Sequence, residues 1–273
     1  VDVDGSALTL SDTRPEAITG RVQQSRDWIR ASSMPGLQLH YTEWSSSYTP
    51  TDFLHDQYLS AAFIVEKLRE TAPLADSMSY WTFTDIFEEM GPRFTAFHGG
   101  FGLMNYQGIR KPGYFAYKFL AQLGTEDLVC EDRQSWVTRK RDGSVQALLW
   151  DFQPMATPAG QNNQHYFRGE RPASAASELN LRVRNLLAGQ YELQVYRVGY
   201  RHNDAFTEYI RMGSPAQLTR HQVATLQAAA SGKPEETRTI NVKPDGRLEL
   251  KLPMSANDVV LVELKPLRTG PAR

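Results

Sequence analysis

The stretch Leu37-Gln-Leu-His-Tyr-Thr-Glu-Trp-Ser45 decides how the rest of the chain is interpreted. Residues 37–41 have strand character and are entered through Pro35-Gly36. The run ends at the carboxylate of Glu43, which stands beside the large ring of Trp44. A strand that ends in a charged group beside an aromatic ring predicts a catalytic side chain at the rim of a sheet or barrel. The alternative interpretation is an acidic residue that only opens a loop.

The composition is that of an ordinary globular protein. The 273 residues are 41% hydrophobic and 22% charged, with a formal net charge of −1 at pH 7. Charge therefore gives no reason to expect a nucleic acid or an acidic membrane as a partner. The single cysteine, Cys130, excludes an internal disulfide framework and a cysteine-based zinc cluster. No apolar run approaches the roughly 20 residues of a membrane helix. The sequence predicts no metal site and no cofactor.

The first residues, Val1 to Gly5, have neither the basic start nor the apolar segment of a signal peptide. The chain also lacks an initiator methionine. We expect that it begins inside a longer protein. The compartment stays open between cytoplasm, periplasm and secretion, because any targeting signal would lie upstream.

The first half of the chain alternates between helical and strand patterns. The predicted elements are, in order, a helix over residues 11–33, a strand over 37–41, a helix over 52–70, a strand over 77–83 and a helix over 112–123. This rhythm is typical of an α/β unit with a parallel sheet. Acidic residues follow both strands, at the end where a (β/α)8 barrel builds its active site. Two βα units cannot close such a barrel, so either the sheet is small and open or most of the barrel is missing.

After Gly124 the pattern changes to short strands separated by glycine and aspartate turns, which indicates an antiparallel β-sandwich. Asp142-Gly143 predicts a hairpin with a type I′ turn, and a helical insertion is expected near residues 215–230. The predicted strands cover residues 136–139, 145–150, 179–185, 191–198, 237–242, 248–252 and 258–264. We place the domain boundary near residues 124–128, which gives a first domain over 1–126 and a second over 127–273.

The acidic residues that follow the two strands suit sugar chemistry, because each group lies near a tryptophan. Glu43 stands beside Trp44, and Asp85, Glu88 and Glu89 follow Trp81. Carboxylates supply a nucleophile and a proton donor, and an indole ring stacks on the apolar face of a pyranose. Retaining glycosidases need two carboxyl groups about 5 Å apart.

Several motifs together resemble glycoside hydrolase family 39, whose members are retaining β-xylosidases and relatives, with α-L-iduronidases as cousins. The resemblance spans almost the whole chain. The motifs are Leu39-His-Tyr-Thr-Glu-Trp-Ser-Ser-Ser-Tyr48, His55-Asp56, Ser79-Tyr-Trp-Thr-Phe-Thr-Asp-Ile-Phe-Glu-Glu89, Phe97-His-Gly-Gly-Phe-Gly-Leu103, Gly108-Ile-Arg-Lys-Pro112, Tyr196-Arg-Val-Gly-Tyr-Arg-His-Asn-Asp-Ala205 and Met212-Gly-Ser-Pro-Ala-Gln-Leu-Thr219.

The resemblance implies a fold and a set of roles. The chain would be the C-terminal part of a (β/α)8 barrel, strands seven and eight, followed by the family's accessory β-domain. Glu43 would be the catalytic nucleophile and Trp81 the aromatic floor of the sugar subsite. Glu89 would bind sugar hydroxyls, and His98 would be a substrate-binding residue on the loop that closes the rim. We also assign Trp44 to the substrate-binding residues, with packing around Glu43 as its alternative role.

The acid/base is missing from this pattern. In the family it is a glutamate that follows an asparagine at the end of the fourth strand, and the 273 residues contain no Asn-Glu pair. The family's His-x-Tyr motif is absent as well. We therefore expect that strands one to six are absent from this chain. We also expect that the chain alone has no complete active site and is weakly stable or prone to aggregate, since a barrel without six strands exposes unpaired edges.

Other polar residues receive plainer interpretations. Asp85 is expected to bond loop amides, and His55-Asp56 to cap a helix. Arg110-Lys111 is expected at the surface, and Cys130 as a buried small residue at the domain junction.

Three functions follow from these observations. The first is a β-xylosidase acting on xylo-oligosaccharides or on aryl and alkyl β-xylosides, present here as a C-terminal portion. The second is a non-catalytic carbohydrate-binding or structural β-sandwich, and the third an iduronidase-like glycosidase. Assembly into a homo-oligomer stays open.

Overall fold

A computed structural model describes residues 16–86, 91, 93–154 and 163–267. We call residues 16–124 the βα part and residues 126–267 the β part. The βα part contains helix α1 (Ala17–Ala31), strand β1 (His40–Trp44), a 3-10 turn (Phe53–His55), helix α2 (Leu59–Thr71), strand β2 (Ser77–Tyr80) and helix α3 (Pro112–Leu120). The predicted order of elements is confirmed. The start of the first predicted helix, residues 11–15, lies outside the described residues.

Strand β1 begins three residues later than expected. The amide of Leu39 donates to the side chain of Asp76, and the carbonyl of Leu37 accepts from the guanidinium of Arg26. Because these backbone groups bond to side chains, the regular strand starts only at His40.

Strands β1 and β2 run parallel, with Tyr41 opposite Met78 and Trp44 opposite Tyr80. Three steps along β1 therefore match two steps along β2, so Thr42 and Glu43 form an irregularity of the β-bulge kind. Such a bulge changes the face to which the following side chains point. Within the described residues this parallel sheet has only these two strands.

The two faces of the parallel pair differ. On one face the hydroxyl of Tyr41 bonds to Ser25 of α1, and Met78 contacts Thr71 of α2. On the other face the ring of His40 bonds to Ser77, and both side chains are exposed. We call this second side the open face. His40 and Tyr41, neighbours on β1, therefore lie on opposite faces.

The β part contains two antiparallel sheets. The larger has the strand order β3-β4-β5-β10-β7-β8, and the smaller pairs β6 with β9. The strands are β3 (Glu126–Asp127), β4 (Ser135–Arg139), β5 (Val145–Trp150), β6 (Leu179–Val183), β7 (Gly189–Val198), β8 (Glu236–Val242), β9 (Leu248–Leu252) and β10 (Val259–Pro266). One hydrophobic cluster joins apolar residues from both sheets, so the two sheets pack on each other.

Of two local predictions for the β part, the turn type is wrong and the helical insertion is confirmed. The β4–β5 hairpin closes through Lys140 and Ser144, and Gly143 has a φ of +86°. A type I′ turn needs positive φ at both central residues, whereas the φ of Asp142 is not positive. The turn is therefore a three-residue loop with glycine in the left-handed position. The helical insertion predicted near residues 215–230 is present as α6 (Arg220–Ala229), and it is preceded by α5 (Ala205–Arg211) and the short α4 (Asn163–Tyr166).

Helices α5 and α6 start at capped positions. Asp204 accepts a hydrogen bond from the amide of Thr207, and Thr219 forms a capping box with Gln222. Among the described residues, none of the helices is long and apolar enough to cross a membrane.

The hydrophobic core continues across the predicted domain boundary. One cluster contains Trp44 and Phe119 from the βα part together with Leu148, Trp150 and Leu261 from the β part. The boundary placed between residues 126 and 127 falls inside β3, which is the first strand of the larger sheet. The two parts therefore share one core.

Candidate active site

Glu43 and Trp81 lie at the same end of the parallel pair. Trp44, next to Glu43, is opposite Tyr80 in the strand register, and the amide of Trp81 donates to the carbonyl of Trp44 at 2.9 Å. Tyr80 and Trp44 turn their rings to each other on the helix side, with centroids 5.7 Å apart. Because neighbouring side chains of a strand alternate, we expect Glu43 and Trp81 to be directed to the open face. Glu43 is exposed and Trp81 is half-buried.

Trp44 lies elsewhere. Its ring is only 8% exposed, stacks on Phe63 of α2 and belongs to the hydrophobic core. The bulge at Thr42 and Glu43 turns it to the helix side. A ring in that place cannot offer its face to a sugar on the open face. The placement favours packing behind Glu43 over the substrate contact that the sequence also suggested for Trp44.

His98 is the first residue of a glycine-rich loop that comes after Trp81 in the sequence. We call residues 98–102 the glycine loop. The amide of Thr82 donates to the carbonyl of Phe101, and the amide of Leu103 donates back to the carbonyl of Thr82. The peptide bond between Trp81 and Thr82 is cis. The ring of His98 is 7% exposed, and its Nδ1 is 3.3 Å from the carbonyl oxygen of Thr95.

Glu88 and Glu89 lie outside the described residues. The carboxylate nearest to them along the chain, that of Asp85, is buried. Its Oδ1 accepts a hydrogen bond from the amide of Gly102 at 2.7 Å. The prediction that Asp85 bonds loop amides is therefore confirmed.

A fully buried ion triplet lies behind this end of the sheet. Nζ of Lys111 is 2.7 Å from Oδ1 of Asp56 and 2.6 Å from Oδ2 of Asp85, and all three side chains are 0% exposed. Nζ of Lys111 also donates to the carbonyl of Gly100 at 3.0 Å. Burial alone would lower the pKa of Lys111, but the two carboxylates outweigh it and raise the pKa above its ordinary value. Lys111 is therefore a cation that ties together the turn before α2, the segment after β2 and the glycine loop.

The surface prediction for Arg110-Lys111 is therefore wrong for Lys111, and Arg110 is itself half-buried, with its guanidinium bonded to the carbonyl of Ser231. One signal in the sequence could have indicated this. Lys111 occupies the N-cap of α3, immediately before Pro112. The N-terminus of a helix carries positive charge and disfavours a cation, so a lysine there calls for partners outside the helix.

The helix-capping prediction for His55-Asp56 is also wrong. Asp52 accepts from the amide of Leu54 and caps the 3-10 turn instead. Oδ2 of Asp56 accepts from the amide of Gly99, and Nδ1 of His55 lies 2.8 Å from the carbonyl oxygen of the same residue. Two consecutive side chains thus hold Gly99 through its amide and its carbonyl.

Cys130 differs from its prediction too. It is half-buried rather than buried, and its thiol lies 3.5 Å from the carbonyl oxygen of Leu128.

Among the described residues no group of three or more histidine, cysteine, aspartate or glutamate side chains is arranged to hold a metal ion. At the carboxyl ends of the two strands, the exposed carboxylate of Glu43 comes together with the indole of Trp81. A carboxylate beside an indole at the carboxyl ends of parallel strands is typical of glycoside hydrolases.

The sequence profile of the family described as glycosyl hydrolases family 39 matches residues 4–249. The chain belongs to that family. It is 34% identical over 254 residues to a β-xylosidase of Geobacillus stearothermophilus, covering 93% of this chain and 46% of the relative. The chain therefore spans about half the length of the curated relatives that it matches.

Two crystal structures are similar throughout the chain. The family 39 enzyme of Xanthomonas axonopodis pv. citri has a TM-score of 0.90 at 44% identity, over 98% of this chain and 52% of that protein. A monomeric β-xylosidase from Caulobacter crescentus CB15 has a TM-score of 0.89 at 47% identity, over 93% of this chain and 51% of that protein.

Proposed function

We propose that this chain supplies the nucleophile half of a retaining β-xylosidase. Glu43 is the nucleophile, Trp81 is the floor of the sugar subsite, and Glu89 and His98 help to bind sugar hydroxyls. The observation that carries the proposal is the shared end of β1 and β2, where Glu43 and Trp81 come together in a family 39 chain. The named relatives are β-xylosidases, which favours xylo-oligosaccharides or aryl and alkyl β-xylosides as substrates.

The reaction is a double displacement. In the first step an oxygen of Glu43 bonds to the anomeric carbon while the bond to the leaving-group oxygen breaks and leaves its electron pair on that oxygen. A sugar leaving group must be protonated as it departs, whereas a dinitrophenolate leaves without protonation. In the second step a water oxygen bonds to the anomeric carbon, the bond to Glu43 breaks, and a base takes the proton of the water.

The proton donor of the first step is proposed to come from outside residues 1–273. The 273 residues lack the Asn-Glu pair of the family, and the chain spans only about half of its relatives. In this proposal β1 and β2 are strands seven and eight of a (β/α)8 barrel, and residues 127–273 form the accessory β-sandwich. The parallel pairing, the helices on one face and the absence of further strands on either edge within the described residues support it.

The test compares two substrates and two proteins. The substrates are xylobiose and 2,4-dinitrophenyl β-xyloside. The proteins are the 273-residue chain and a chimera in which this chain follows the half of the Caulobacter crescentus β-xylosidase that it does not match. We expect the chimera to hydrolyse both substrates and the chain alone to hydrolyse at most the dinitrophenyl xyloside.

Variants identify the nucleophile. Glu43→Ala in the chimera should lower hydrolysis of both substrates by at least about a thousandfold, the scale of losing a covalent nucleophile. Glu249→Ala, which removes a carboxylate exposed on β9, is the control and should leave the rates unchanged. Hydrolysis of xylobiose by the chain alone would show that an acid/base lies within it. Full activity of the Glu43→Ala chimera would show that another residue is the nucleophile.

The carbohydrate-binding alternative finds less support. Binding of a sugar to a β-sandwich surface needs exposed aromatic rings on which the sugar can stack. Among the described residues of the β part, the exposed large apolar side chains are Val129, Leu187 and Leu267, and none of them is aromatic.

A further inference from the structure

His55 occupies a buried position with both ring nitrogens engaged. The ring is 2% exposed and lies against Phe101, with ring centroids 5.0 Å apart. Nδ1 is 2.8 Å from the carbonyl oxygen of Gly99. Nε2 is 3.1 Å from the carbonyl oxygen of Ser47 and 3.2 Å from the hydroxyl of Ser45.

These contacts connect His55 to the turn after β1 and to the glycine loop, two segments that adjoin or contain predicted site residues. Ser45 and Ser47 follow Glu43 in the turn after β1. Gly99 follows His98 directly. The hydroxyl of Ser45 also lies 3.4 Å from the hydroxyl of Tyr80, the residue before Trp81. One imidazole therefore joins the turn after the predicted nucleophile to the glycine loop, and Ser45 connects that turn to the end of β2.

Both ring nitrogens of His55 face a carbonyl oxygen, that of Gly99 at Nδ1 and that of Ser47 at Nε2. A carbonyl oxygen only accepts hydrogen bonds, so either ring nitrogen can donate to the carbonyl that it faces. Nε2 faces a hydroxyl, which can donate or accept, and a carbonyl, which only accepts. The two sides of the ring therefore hold two different segments through two separate hydrogen bonds.

We propose that His55 is a positioning residue of the glycosidase site, a proposal that rests on the function proposed above. Its Nε2 side holds the turn that sets the position of Glu43, and its Nδ1 side holds the glycine loop that carries His98. The contact at Nε2 positions the reacting carboxylate of Glu43, and the contact at Nδ1 positions His98 for sugar binding. Removing one contact at a time should therefore separate the two effects.

Two amide variants remove one contact each. The side-chain nitrogen of asparagine lies close to the position of Nδ1, and that of glutamine close to the position of Nε2. His55→Asn keeps the bond to Gly99 and loses the contacts with Ser45 and Ser47, whereas His55→Gln does the reverse. Gln57→Asn is the matched control. Gln57 is also fully buried, but its amide bonds to the carbonyls of Phe167 and Gly169, away from the site.

The first measurement is amide hydrogen exchange on the 273-residue chain, which needs no activity. His55→Asn should speed exchange in residues 45–49 at least about tenfold and leave residues 99–103 unchanged. His55→Gln should do the opposite, and Gln57→Asn should change neither segment. Exchange that stays at the wild-type rate in both segments, or that rises in both segments with either variant, would overturn the proposal.

The second measurement is steady-state hydrolysis of 2,4-dinitrophenyl β-xyloside by the protein that proves active above. His55→Asn should lower kcat about 10- to 100-fold at nearly constant KM, the scale of a 1 Å misplacement of a reacting group. His55→Gln should mainly raise KM. If kcat and KM change equally in both variants and the Tm falls in parallel, His55 has only a structural role. If the wild type itself does not turn over, the proposed function fails, and the exchange experiment decides the positioning of the two segments.

Discussion

Lys111 shows at the scale of one residue how a local pattern misleads. In the sequence it is the second residue of a basic pair before a proline, which suggests a surface position. In the structure it lies between the carboxylates of Asp56 and Asp85 with no exposed area. The cost of burying three charges is offset only because each charge has an opposite partner and further hydrogen bonds.

Removing the cation of the triplet should be strongly destabilising. Lys111→Met keeps the aliphatic stem but leaves two buried carboxylates facing each other. We expect the free energy of unfolding to fall by about 3–5 kcal/mol, measured by urea denaturation. Lys251→Met, which breaks an exposed ion pair with Glu178, should cost no more than about 0.5 kcal/mol. A loss below about 1 kcal/mol for Lys111→Met would show that the triplet contributes little.

Asp204, at the N-cap of α5, should make stability depend on pH. Burial raises its pKa from 3.8 to about 6. The folded state therefore holds this proton more tightly than the unfolded state does. The contribution of Asp204 to stability is highest below pH 4 and falls as the pH rises through about 6.

The matched variant is Asp204→Asn, which keeps a capping oxygen and removes the buried charge. Its free energy of unfolding should exceed that of the wild type by about 2–3 kcal/mol at pH 7.5. The difference should shrink toward zero below pH 4. Urea denaturation of both proteins across this pH range measures it. A difference that does not vary with pH would show that Asp204 has the same pKa in the folded and unfolded states.

At the scale of elements, the glycine loop is held more tightly than a surface loop usually is. Gly99 has a φ of +76°, and a Cβ built there would lie 2.6 Å from backbone carbons of Thr51 and Asp52. A Cβ at Gly100 or Gly102 would lie within 2.6 Å of an oxygen of Asp85. The sequence shows several glycines here, but the segments that they approach could not be read from it because they are distant in the chain.

Gly99→Ala tests this packing. A methyl group should force the loop away from the turn before α2, lower the free energy of unfolding by at least about 2 kcal/mol and shift the Tm accordingly. Gly20→Ala is the control, because Gly20 lies inside α1 and a Cβ added there would meet no atom within 4 Å. That change should stabilise the protein by about 0.5–1 kcal/mol. Equal Tm values for Gly99→Ala and the wild type would show that the loop can move freely.

At the scale of the whole molecule, the exposed apolar residues are distributed unevenly. Trp28, Met34 and Leu37 are 66%, 59% and 48% exposed near the connection from α1 to β1. The two-stranded parallel sheet also has edges that pair with no other strand among the described residues. Such edges and patches promote association.

We therefore expect the 273-residue chain to self-associate. Sedimentation velocity over a hundredfold range of concentration should show a growing fraction of larger species. Leu37→Lys should reduce that fraction, since a charge beside a sheet edge opposes pairing. Leu187→Lys, at a residue that is 78% exposed in the β part, should leave it unchanged. A strictly monomeric wild-type chain would contradict the expectation.

The sequence by itself determined the family, the order of helices and strands, and the place of Glu43 at a strand end, because these follow from local patterns and contiguous motifs. Only the tertiary structure decided which face Trp44 takes and which polar residues are buried. A bulge opposite β2 turns Trp44 into the core. Asp56, Asp85 and Lys111 meet only after the chain folds. Contacts between segments distant in the chain leave no periodic signal, so burial and charge pairing could not be predicted there.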